Sequence, residues 1–195
     1  MPRVKLFNED EVLQKAIELF WRKGFNDTSM QDLVDYLGIN RGSLYDTFGG
    51  KKELFIKAFN NYKEINNKTM IAFLAHQELV VEGLFKFFEL PIDAAVCKES
   101  KIVRGCLAVN TTTELLPQDQ DIHAILKQNK EELEEALYQH LQRGVANGEI
   151  AKDKDLKSIA SLAYALLNGV LVIAKVNPDK KYLMNIIRTG LSVLR

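Results

Sequence analysis

Apolar residues recur along this chain at helical spacing almost without a break. Leu13, Ala16, Ile17, Phe20 and Trp21 form a first stripe. Asn8 stands ahead of it as an N-cap, with Glu11 three residues on. Glu9, Asp10 and Glu11 suit the positive end of a helix dipole, and Gly24 ends the element. Met30, Leu33, Val34 and Leu37 give a second stripe at i, i+3, i+4 and i+7, with Thr28 as its cap and Gly38 as its stop. A third, very short helix follows Asn40, carries Leu44 and Phe48, and breaks at Gly49-Gly50. A long fourth helix starts near Lys51, with Phe55, Ala58, Phe59 and Tyr62 on one face. The first three are too short to be stable alone, so they must pack on one another.

Beyond them the pattern predicts an aromatic helix over about residues 79–96, kinked by Pro91. A shorter helix covers about 105–115 and stops at Pro117. A long amphipathic helix covers about 121–147 on Ile122, Ile125, Leu126, Leu133, Ala136, Leu137 and Leu141, ending at Gly148. Two more helices, about 155–176 and 179–194, are separated by Asn177-Pro178. The former is apolar nearly all round, from Ile159 through Leu162, Leu166 and Val170 to Ile173, which calls for burial on more than one side. One of those sides fits a second subunit; a purely internal central helix is the alternative. No strand pattern, repeat or low-complexity segment appears. The fold class is all-α: an N-terminal three-helix domain, residues 1–52, joined to a larger C-terminal helical domain, 53–195.

Composition narrows the class. The chain has 195 residues, 47% hydrophobic and 27% charged, enough to bury a core. Lys and Arg number 26 and so do Asp and Glu, which excludes a generally basic nucleic-acid coat but not a reader with basic residues on one face. No signal-peptide core follows Met1. The longest apolar stretch, 159–176, is interrupted by Ser161, Asn168 and Lys175 and falls short of the roughly 20 clean residues of a membrane span. A soluble, cytoplasmic protein without a membrane partner is expected. Cys97 and Cys106 are too few for a disulfide scaffold. His76, His123 and His140 have no metal-ligand spacing, so neither metal nor cofactor is expected.

Helices two and three, joined by Leu37-Gly38-Ile39-Asn40, read as a helix-turn-helix. The second helix must offer small and polar residues to a major groove about 12 Å wide. With Leu44 and Phe48 facing inward, Arg41, Gly42, Ser43, Tyr45 and Thr47 face out. Gly42 costs helix stability, which fits a backbone that must come close to something. At the start of helix four, Lys51 and Lys52 stand beside free N–H groups and suit a phosphate. Spacing alone leaves a surface helix in an ordinary bundle as the equal alternative.

The run Ile39-Asn40-Arg41-Gly42-Ser43-Leu44-Tyr45-Asp46-Thr47-Phe48, followed by Lys51-Lys52-Glu53-Leu54, resembles the signature of the TetR family of bacterial transcriptional regulators. Ala16-Ile17-Glu18-Leu19-Phe20, Gly24-Phe25 and Thr28-Ser29-Met30 resemble the first two helices of that family. The resemblance implies DNA contact by Thr28, Ser29, Asn40, Arg41, Gly42, Ser43, Tyr45, Thr47 and Lys51. One departure is Asp46, where the family often has a basic residue or His. An acid there is expected to point into the protein or to accept from a cytosine amino group. Residues 1–52 hold eight basic residues (Arg3, Lys5, Lys15, Arg22, Lys23, Arg41, Lys51, Lys52) and eight acids (Glu9, Asp10, Glu11, Glu18, Asp27, Asp32, Asp35, Asp46). Affinity must then come from placement and dimerisation, with a shallow salt slope.

The resemblance further implies a homodimer built on the last two helices, here through Leu162, Leu166, Val170, Ile173, Ile187 and Leu191, and hence a palindromic double-stranded operator. It also implies an effector pocket in the C-terminal domain. Phe73, Phe85, Phe87 and Phe88 read as core there. Asn110, Thr111 and Thr113 are polar residues on a middle helix that need partners, supplied by an effector or by an internal network. Cys106, in Arg104-Gly105-Cys106-Leu107, stands near a helix start, which favours a thiolate. The segment resembles a Gly-Cys-Leu motif of a subgroup that controls reductases and responds to reactive electrophiles. In that subgroup a lysine approaches the cysteine, and Lys175 takes the matching place. A small buried hydrophobe is the alternative role for Cys106, and Cys97 is a candidate resolving thiol.

The expected function is a repressor released from its operator by a small molecule or electrophile. The alternatives are a thiol-dependent enzyme using Cys106 with His123 or His140, and a helical protein-binding scaffold. No orienting acid or oxyanion motif accompanies the enzyme reading, so no catalytic role is expected.

Overall fold

A computed structural model describes residues 7–97 and 105–194 of the chain. Arg3, Lys5 and Arg104, singled out above, lie outside the described residues. Within them the order is α1 (Glu9–Lys23), α2 (Met30–Leu37), α3 (Arg41–Phe48), α4 (Lys51–Ala75), α5 (Val80–Val96), α6 (Leu107–Leu115), α7 (Gln120–Ala146), α8 (Leu156–Ile173), α9 (Lys180–Gly190) and a closing 3-10 turn, Leu191–Leu194. No strand appears among the described residues.

The described residues form two compact units. The first takes the chain up to Asn66 together with Asn110–Ile125; the second takes Asn67–Val109 and Leu126 onward. Helices α4, α6 and α7 have residues in both.

In the first unit local signals set the helix ends. Asn8 caps α1, accepting from the Asp10 N–H at 3.0 Å. Gly24 closes it at φ 87°, a conformation that disfavours any side chain. Ser29, not Thr28, caps α2, in a reciprocal capping box with Asp32. Thr28 is fully buried and its hydroxyl donates to the Gly24 carbonyl at 2.6 Å, so it locks the turn instead of the helix. Gly38, left-handed at φ 68°, makes the tight turn into α3. Ala16, Leu19, Phe20, Leu33, Leu44, Leu54 and Phe55 form the unit's core. Phe55 meets Phe20 and Phe25 edge-on, each at 5.1 Å between ring centroids.

In the second unit α5 and α8 pack on α9. Leu84, Phe87, Phe88 and Ile92 meet Leu137, Leu141, Ala163, Leu167, Leu183 and Ile187 in one core. Each fully buried Phe contributes roughly 1.5–3 kcal/mol of transfer free energy. Pro91 lies inside α5, which runs through it from Val80 to Val96. Three residues assigned above to a subunit interface, Val170, Ile187 and Leu191, are at most 2% exposed and belong to the chain's own core. Leu162, Leu166 and Ile173 are half-buried. By length and composition α8 is long and apolar enough to cross a bilayer, contrary to the expectation from its interrupting polar residues. The core helix of a helical bundle passes the same test, and α8 packs on α5 and α9.

Candidate DNA interface and effector site

The recognition face is built by burial on one side of a two-turn helix. Leu44 and Phe48 anchor α3 to the core, at 0% and 3% exposure. The Asn40 side chain caps it, accepting from the Ser43 N–H at 2.8 Å. Arg41, Gly42, Tyr45 and Asp46 are then exposed, while Ser43 and Thr47 are half-buried. Tyr45 is 44% exposed, a high figure for an aromatic side chain. The Arg41 guanidinium lies 5.9 Å from the Tyr45 ring centroid. A Cβ at Gly42 would touch only its own cap, Asn40 Oδ1, at 3.4 Å. The chain itself therefore has room for a side chain at this position. Asp46 is exposed to solvent and does not turn into the protein.

The cations behind this face are not equally available. Lys52 is bound to Asp119 at 2.9 Å and Asp121 at 2.7 Å, contacts that raise its pKa, so its charge is matched inside the unit instead of waiting for a phosphate. Lys51 donates to the Asn26 carbonyl at 3.4 Å and lies 4.4 Å from the Phe25 ring centroid. Burial lowers its pKa. Lys57 donates to the Thr47 carbonyl at 3.2 Å, at the negative end of α3. Among the acids, Asp32 is held by Lys23 at 2.9 Å and by Ser29, which drive its pKa far below the usual carboxylate range. Thr28, being buried, offers DNA no side chain; Ser29 is exposed.

On the effector side, Cys106 and Lys175 come together. Gly105, at φ 67°, lies against Lys175 so closely that a Cβ there would collide with the lysine side chain. The helix position favours a thiolate, but the surroundings act the other way. Burial pushes its pKa up, and this outweighs the Val109 and Ala108 N–H groups and the Lys175 charge, all of which pull it down. Tyr164 on α8 feels Cys106 electrostatically and is hydrogen-bonded by Asn168; burial again pushes its pKa up. Cys97 is exposed at the end of α5. Asn110 and Thr113 belong to the first unit, and the exposed Thr113 hydroxyl donates to the Asn110 carbonyl at 2.9 Å. The buried amides Asn67 and Asn129 escaped the sequence reading; Asn67 donates to Glu132 at 2.9 Å. His140 faces backbone carbonyls with both ring nitrogens, which is a structural role and not that of a general base. No cluster of metal-ligating side chains occurs among the described residues.

A family model described as bacterial regulatory proteins of the tetR family matches residues 12–58, and one described as the tetracyclin repressor-like C-terminal domain matches residues 82–189. The chain belongs to the TetR family. It is 33% identical over 195 residues, the whole of both chains, to the uncharacterized HTH-type transcriptional regulator YezE of Bacillus subtilis (strain 168). It is 30% identical to the HTH-type transcriptional repressor ComR of Escherichia coli (strain K12), over 97% of this chain and 90% of that one. Its fold matches that of the TetR family regulator CifR, a variant with three cysteines replaced, complexed with 26-bp double-strand operator DNA. That match has a TM-score of 0.87 at 25% identity and covers 99% of this chain and 100% of the other. The TetR family and these relatives are DNA-binding transcriptional regulators, not enzymes, and the chain is one of them.

Proposed function

We propose that this regulator binds a palindromic operator as a cytoplasmic homodimer, represses from it, and is released by a small molecule. The observation that carries the reading is the α3 face: Arg41, Gly42 and Tyr45 exposed on a helix whose other side is fixed by Leu44, Phe48 and the Asn40 cap. Arg41 and Tyr45 read bases, while Ser29, Ser43, Thr47 and the Lys51 turn meet phosphates. Residues 1–52 serve as the reading domain and 53–195 as the effector and dimer domain. The subunits meet on the outer side of α8, where Leu162, Ala165, Leu166, Gly169, Val172 and Ile173 leave apolar surface, continued by Tyr182 and Ile186 of α9. A Cβ at Gly169 meets nothing within 4 Å in its own chain, leaving room for a partner helix.

The effector occupies the Cys106, Lys175, Tyr164 and Asn168 region and favours a state whose two reading heads no longer match the half-site spacing. The partly buried thiol, whose pKa is raised, favours a non-covalent small molecule over an electrophile. Replacing both Arg41 and Tyr45 by Ala is expected to abolish operator-specific binding, at about 1–3 kcal/mol for each lost base contact. Circular dichroism and the melting temperature should stay unchanged. Normal operator binding by the double variant, read by mobility shift, would place the recognition surface elsewhere.

A further inference from the structure

Glu114 lies in the last turn of α6. A carboxylate there faces the negative end of the helix dipole, a local cost that calls for a partner elsewhere. Its partner is the α1–α2 connection. Glu114 Oε2 accepts from the Phe25 N–H at 3.0 Å, and Oε1 accepts from the Asn26 N–H at 2.6 Å. Two charge-assisted bonds from one carboxylate fix both position and orientation of a backbone. Gly24 is shaped to this grip, since a Cβ there would come within 3.0 Å of Oε1 and 3.1 Å of Oε2. The opposite side of the same loop is held by Lys51 on the Asn26 carbonyl and by the Thr28 hydroxyl on the Gly24 carbonyl. Three residues beyond Asn26, the exposed Ser29 opens α2, the helix on which α3 packs.

We propose that Glu114 is a positioning residue for operator binding: its carboxylate holds the Phe25 and Asn26 amides and so sets the first turn of α2 where it meets the DNA backbone. Glu114 acts through the loop and does not itself touch DNA. The proposal rests on the operator-binding reading above. It also carries a sign that charge alone does not. An acid held against a DNA-reading head repels phosphates, so neutralising it should tighten binding if charge were its only effect. A positioning role predicts the reverse.

The test uses the full-length protein and an operator obtained by selection with the wild type. Glu114→Gln keeps the shape but turns an amide NH2 toward one of the two N–H donors. It is expected to weaken operator affinity about tenfold, the worth of one charge-assisted bond. Asp27→Asn removes an exposed acid from the same loop and is expected to leave affinity unchanged or raise it. In the free wild type the Phe25 and Asn26 amides should exchange slowly with deuterium, and in Glu114→Gln faster, at a temperature well below melting for both proteins. Equal or tighter operator binding by Glu114→Gln overturns the proposal. So do freely exchanging Phe25 and Asn26 amides in the wild type, a result that needs no variant to fold. Failure of the wild type itself to select any DNA would sink the operator-binding reading and this proposal with it, and is recognised because the wild type is silent too.

Discussion

Cys106 shows how far a single residue's role depends on burial. Its place just ahead of α6 is legible in the sequence, and so is the lysine that would attend it. Its solvation is not legible, because that depends on how α8 and its neighbours close over it. Burial outweighs the helix amides and Lys175, and the thiol stays protonated near neutral pH. Timed alkylation of the native protein with iodoacetamide should therefore label the exposed Cys97 first. Cys106 should follow at least about tenfold more slowly, because its raised pKa leaves less of it as thiolate and it is partly buried. Denaturant should abolish the difference. Faster labelling at Cys106 than at Cys97 would restore the reactive-thiolate reading. Asp46 teaches the same lesson in reverse: of the two places open to it, turned into the protein or outward toward a base, the chain leaves it exposed, on the same short helix as Arg41 and Tyr45.

At the scale of elements, ends set by near neighbours were legible and ends set by distant ones were not. Asn8, Gly24, Gly38 and Asn40 act within a few residues of themselves, and the sequence reading found them. The one local slip, Thr28 for Ser29 as the α2 cap, came from two adjacent hydroxyl residues, one of which the turn buries. The end of α4 is closed by partners more than sixty residues away. His140 on α7 is 2% exposed, with Nδ1 3.1 Å from the Leu74 carbonyl and Nε2 2.8 Å from the Val80 carbonyl. Arg143 donates to the Leu74 and Ala75 carbonyls, each at 3.0 Å, and to the Gln77 carbonyl. Glu149 accepts from the Val80 and Val81 N–H groups at 2.9 and 3.0 Å, capping α5, whose own cap position, Leu79, has no side-chain acceptor.

Losing His140 removes a buried ring that bridges the Leu74 and Val80 carbonyls, so His140→Leu should cost about 1–3 kcal/mol of folding stability. Its titration has a definite sign. Burial first, then the Arg143 charge, lowers its pKa below the ordinary 6.5, against the pull of the two carbonyls and Glu149. The unfolded chain takes up that proton before the folded one. The stabilisation is therefore complete above pH about 6.5 and is lost as pH falls through that value toward the depressed folded pKa. Urea unfolding at about pH 7.5 and about pH 5.5 should show the wild type losing stability on acidification, and His140→Gln losing less. A steeper loss in the variant would contradict this account of the clamp.

At the scale of the whole molecule, the family and the all-α class were legible because they rest on contiguous motifs and periodicity. The proposed dimer surface drew on burial that the sequence does not show. Periodicity marks α8 as buried on several sides but cannot say which side its own chain covers. Val170, Ile187 and Leu191 went inward, leaving Leu162, Leu166, Ile173 and the bare Gly169 strip outward. With no net charge to draw DNA in, affinity must come from two identical heads acting together. The most direct measurement is selection of DNA from a random library by the purified full-length protein, read by sequencing. The account predicts an inverted repeat whose half-site centres lie about 34–36 Å apart or a multiple of that, one or more turns of the double helix. No enriched motif at low salt, or a single unrepeated half-site, would contradict it.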